Sequence, residues 1–77
     1  MINYYKFRLG FYKIDSNSKS FSHINNGQDN SLISLVTNEE SFDKLLSSIT
    51  NNVGGYWEVI SEEDFNFAKQ EVLAKLN

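Results

Sequence analysis

Apolar and polar side chains alternate through residues 4–14, YYKFRLGFYKI. Tyr5, Phe7, Leu9 and Phe11 fall on one parity; Tyr4, Lys6, Arg8 and Tyr12 fall on the other. A repeat of two is that of a half-buried strand, so the run predicts one first strand with a core face and a Tyr/Lys/Arg outer face. Gly10 marks a bulge or bend within it. The cluster DSNS at 15–18 predicts a turn. SFSHI at 20–24 alternates again and predicts an antiparallel return. NNGQDN at 25–30 is the strongest loop signal in the chain, because Asn26-Gly27 suits the positive φ angles of a hairpin turn. LISLV at 32–36 predicts a third strand.

The period then changes. Phe42, Leu45, Leu46 and Ile49 stand at i, i+3, i+4 and i+7, one face of a helix. Either Thr37 with Glu40 or Asn38 alone supplies the start, and Asn51-Asn52 before Gly54-Gly55 supplies the stop. YWEVI at 56–60 predicts a fourth strand. SEEDFNFAKQEVLAKLN predicts a second helix, capped by Ser61, with Phe65, Ala68, Val72 and Leu76 on one face and Leu73 at its edge. Phe67 lies about 200° from Phe65 by helical geometry and points away from that face, beside Gln70, Glu71 and Ala74.

The expected order is β-β-β-α-β-α in a single domain over residues 1–77. That order predicts an α+β fold, a small, mostly antiparallel sheet packed against two helices. There is no cysteine and therefore no disulfide; stability must come from apolar packing or from a partner. No secretory pattern and no run of about 20 apolar residues is present, so the expectation is a soluble intracellular protein.

Charge divides the chain. Residues 1–24 carry Lys6, Arg8, Lys13 and Lys19 against Asp15, a balance of +3, whereas residues 25–77 carry three lysines against nine carboxylates, a balance of −6. An acidic chain is a poor general DNA binder, since phosphate attraction supplies most non-specific affinity. The asymmetry suits a protein partner with a basic surface. The candidate contacts are Glu39, Glu40 and Asp43 on the first helix and Glu62, Glu63, Asp64 and Glu71 on the second. Phe67 joins them as a contact with a partner or with a second copy. Lys6, Arg8, Tyr4 and Tyr12 offer an alternative, a face that stacks the bases of RNA or single-stranded DNA.

No catalytic set, cofactor motif or metal-ligand spacing is legible. His23 is the one histidine and the only plausible general base near neutral pH, with Asp29 or a carboxylate of a partner chain as its orienting acid. Glu62, Glu63 and Asp64 have the types of metal ligands, but acidic residues in a first turn answer to the helix dipole. The glycine pair 54–55 precedes a strand, so it is no phosphate loop.

The strand-to-helix stretch GYWEVISEEDF at 55–65 and the opening MINYYKFRLG resemble those of short phage and prophage proteins. The profile as a whole (under 100 residues, acidic, without cysteine) is similar to small phage anti-defence proteins, including anti-CRISPR proteins. The resemblance implies a non-enzymatic inhibitor or adaptor that binds a host protein in the bacterial cytoplasm. It assigns no functional residue.

Overall fold

A computed structural model describes residues 1–27 and 31–76. Five strands and two helices follow one another as β1 (Ile2–Phe7), β2 (Gly10–Asp15), β3 (Ser20–Asn26), β4 (Ser31–Val36), α1 (Glu39–Asn51), β5 (Trp57–Val59) and α2 (Glu62–Leu76). The α+β class, the antiparallel sheet and the two helices are as expected. The sheet has order β4-β3-β2-β1-β5, with every neighbour antiparallel.

The first expected strand is two strands. Residues 4–14 fold into a hairpin closed by Arg8-Leu9, with Phe7 opposite Gly10. Arg8 adopts φ 55°, a conformation that hairpin turns usually give to glycine or asparagine. A two-residue turn resets the parity. Tyr5 and Phe7 share a face with Gly10, Tyr12 and Ile14, while Tyr4 and Lys6 share the other with Phe11 and Lys13. Both faces therefore carry apolar side chains, and both are covered.

On the face of Tyr4 and Phe11, α2 packs across β2, β3 and β4. Ile24, Phe65 and Val72 form its buried centre, flanked by Tyr4, Phe11, Ile33 and Ile60. The rings of Tyr4 and Phe65 stand 5.5 Å apart. Ser61 caps the helix, its hydroxyl accepting from the Asp64 amide at 3.1 Å. At the far end Lys75 Nζ donates to Asn26 Oδ1 at 2.6 Å. The helix has by then reached the end of β3. That explains why Leu76, expected on the buried stripe, is exposed.

On the face of Tyr5 and Tyr12, Ile14 is buried outside the α2 cluster, and so is Phe42. The strand alternation and the contact of α1 with β3 place α1 there. Asn38 caps α1, accepting from the Ser41 amide at 2.9 Å; of the two expected start signals this one operates. Asn52 ends the helix in the left-handed region at φ 42°. Its side chain then accepts from the Trp57 amide at 3.0 Å, fixing where β5 begins. Asn26 ends β3 and Gly27 is buried beyond it; the rest of the expected loop, residues 28–30, lies outside the described residues.

Candidate functional site

The hairpin register distributes the expected base-stacking set. Tyr4 and Lys6 lie on the α2 side, Tyr12 on the α1 side and Arg8 in the turn between them. A single platform of Tyr4, Lys6, Arg8 and Tyr12 therefore does not exist. The cause is the parity reset at Arg8-Leu9, which sends Tyr12 to the face opposite Tyr4.

The acidic contacts are divided too. Glu39, Glu40 and Asp43 sit on α1, over one face of the sheet; Glu62, Glu63, Asp64 and Glu71 sit on α2, over the other. On α1 two of the three are already engaged. Lys19 donates to Glu39 at 2.6 Å, which holds the Glu39 carboxyl below its usual range and raises Lys19. Lys44 stands 3.5 Å from Glu40. A shallow depression follows this side of α1, lined by residues of that helix alone. A depression with no second wall gives a ligand nothing to close against.

The structure does bring Asp64, Phe67 and Glu71 together. They line a groove of about 350 Å³ between α2 and the β1–β5 edge of the sheet. Phe11, Ile60 and Ala68 supply apolar lining, while Glu58, Asp64 and Glu71 supply three carboxylates against one cation, Lys6. Lys6 is directly opposite Glu58 in the β1–β5 register and lies over the Phe11 ring at 5.7 Å. Phe67 remains 64% exposed. Sequence reading identified the α2 half of this groove but missed Glu58, Phe11 and Ile60. Adjacent aromatic residues of opposite parity, Tyr4-Tyr5 and Phe11-Tyr12, were the available sign that both faces are apolar.

No known protein family, curated protein or solved structure matches this chain.

The α1 face holds an aromatic cluster. Trp57 lies 4.8 Å from Phe7 and 5.0 Å from Tyr12, ring centre to ring centre. Tyr12 stacks on His23 at 4.6 Å. Burial lowers the His23 pKa below its ordinary value and raises that of Tyr12. These rings fill the space above Gly10, where an added Cβ would come within 3.2 Å of His23 Nε2. His23 is thus engaged in packing, and its expected orienting acid, Asp29, lies outside the described residues. At the hairpin tip the Arg8 guanidinium stands 5.1 Å from the Tyr56 ring and 5.6 Å from that of Phe7. Among the described residues no group of three or more His, Asp and Glu side chains is placed to hold a metal ion. No helix there is long and apolar enough to cross a membrane.

Proposed function

We propose that this chain is a non-catalytic binding protein, an inhibitor or adaptor of the phage anti-defence kind that acts on a protein of its bacterial host. The contact is the groove between α2 and β5, and the ligand is a basic segment with an apolar side chain. One observation carries the reading: Phe67 stands exposed beside Asp64 and Glu71, on a groove that also offers Glu58 and an apolar lining. An aromatic anchor on a groove whose carboxylates outnumber its one cation, Lys6, by three to one suits an interface that steers an oppositely charged partner.

Isologous pairing of two copies through Phe67 is the competing reading. It would bring Asp64 and Glu71 near the same carboxylates of the second copy, and like charges across an interface oppose association. A foreign basic segment avoids that cost.

The test is affinity capture from host lysate at physiological salt, with wild type and the Asp64→Lys/Glu71→Lys double variant run side by side. Wild type should retain a host protein that the double variant releases. Titration of the recovered partner should then weaken with rising salt. Phe67→Ala should cost on the order of 2 kcal/mol of binding. A folded wild type that retains nothing, or a partner held equally by both forms, would overturn the reading.

A further inference from the structure

The two edges of the sheet are built differently. β5 is three residues long, carries Glu58 at its centre and leads into the acidic first turn of α2. Shortness and charge are the ordinary protection of an edge strand. The opposite edge, β4, is six residues long and reads SLISLV, without a charge, a proline or a glycine. Among the described residues, its outer backbone groups have no neighbouring strand in the sheet. Its leucines are exposed on both faces: Leu35, at 68%, on the α2 side, and Leu32, at 43%, on the other.

We propose that β4 is the surface through which two copies of this chain pair, antiparallel about a two-fold axis, to make one continuous sheet. Charge selects this edge. The chain carries −3 overall, so two copies repel wherever their carboxylates meet. Between Lys19 and Glu39 the only ionisable side chains are His23 and Asp29, which makes the β3–β4 segment the long charge-poor part of the chain.

The pleat selects the register. A two-fold axis normal to the sheet keeps each face continuous, so only residues of equal parity can pair. Centring the axis on Ser34 sets Ile33 against the partner's Leu35 and Leu32 against the partner's Val36. Each exposed leucine then meets a branched apolar side chain. Centring on Ile33 would set both leucines against serines. The axis on Ser34 therefore accounts for apolar exposure on both faces of one strand. The guarded β5 edge ends the assembly at two copies.

The absence of native cysteine makes the test direct. Ser34→Cys places two thiols directly opposite each other, with Cβ atoms about 4.5–5.5 Å apart, close to disulfide reach. Val59→Cys, 81% exposed on the β5 edge, is the control. Wild type should sediment as a dimer. Under mild oxidation Ser34→Cys should become a covalent dimer well before Val59→Cys does. Leu35→Lys should raise the dimer dissociation constant about tenfold or more by charging the edge, with circular dichroism confirming that it folds. A wild type that stays monomeric at its highest attainable concentration would overturn the proposal. So would equal cross-linking of the two cysteine variants, or a dimer that survives Leu35→Lys and is lost in Phe67→Glu. Growth into filaments would overturn the closed two-fold.

Discussion

Arg8 and Gly10 divide the work of the first hairpin. Arg8 takes the left-handed conformation, at φ 55°, and its guanidinium lies over Tyr56 and Phe7. Arg8→Ala and Arg8→Gly both remove that contact, but only glycine relieves the backbone. Arg8→Gly should therefore be the more stable of the two by about 1 kcal/mol, read by urea unfolding of both proteins. Gly10 is needed for space. An added methyl would approach the Phe7 carbonyl and the rings of His23 and Tyr12, each at 3.2 Å. The carbonyl is backbone and cannot turn aside, so Gly10→Ala should cost roughly 1–3 kcal/mol, in the manner of an overpacked core. His23 makes the same packing sensitive to pH. Burial lowers its pKa in the folded chain, so below the ordinary value of about 6.5 the unfolded chain binds the extra proton first. Stability should be intact above about pH 6.5 and fall as pH drops from there through the lowered folded value. Thermal melts of wild type and His23→Gln across that window should show the decline only in wild type. Asp15 and Glu39, both held below their usual range, lose their contribution only as pH falls below the ordinary carboxylate values, so the onset of the decline just below about pH 6.5 belongs to His23.

At the scale of elements, the helices are held by their ends as well as by their faces. Asn38→Ala and Ser61→Ala each remove a side-chain acceptor for an amide in the first turn. Each should lose about 1 kcal/mol. Asn52 has two tasks. Its φ of 42° closes α1, and its side chain holds the Trp57 backbone amide at 3.0 Å. Asn52→Gly keeps the first and loses the second, whereas Asn52→Ala loses both. Denaturant midpoints should therefore rank wild type above Asn52→Gly, and Asn52→Gly above Asn52→Ala. Phe65 belongs to the buried centre under α2. Phe65→Ala should cost about 3–5 kcal/mol, a large fraction of what a domain of this size possesses.

For the whole molecule, the sheet is the middle layer and the two helices do not share a core. α2 spans β2, β3 and β4, whereas the principal strand contact of α1 is with β3 alone. Local opening should therefore be easier on the α1 side. Native-state hydrogen exchange should show α1 amides protected less than those of α2. Equal protection, lost in one step with denaturant, would mean that the two layers open together. The layering also explains why the acidic side chains act as separate sets. Those of α1 and α2 lie over opposite faces, and of the α2 set only Asp64 and Glu71 are joined by a second wall, the β1–β5 edge, into a groove; Glu62 and Glu63 do not line it.

The helices and their caps, the β3 and β4 strands, the α+β class and the outward set of Phe67 were all legible in the sequence. Each is decided by neighbours within a few residues, through the 3.6 or 2.0 period and the chemistry of the cap. The hairpin at Arg8-Leu9 was not legible. Its turn lacks the glycine or asparagine that announces positive φ, and the apolar alternation of Tyr5, Phe7, Leu9 and Phe11 runs unbroken across it. Only pairing with β5 and β3, and burial on both faces, decided that the chain reverses there. That reversal sent Tyr12 away from Tyr4, dissolved the expected stacking face and brought Phe11 beneath the groove. Glu58 and Ile60 joined Asp64, Phe67 and Glu71 through the pairing of β5 with β1. A groove between a helix and a strand edge is a property of how the layers pack, and no spacing along the chain encodes it.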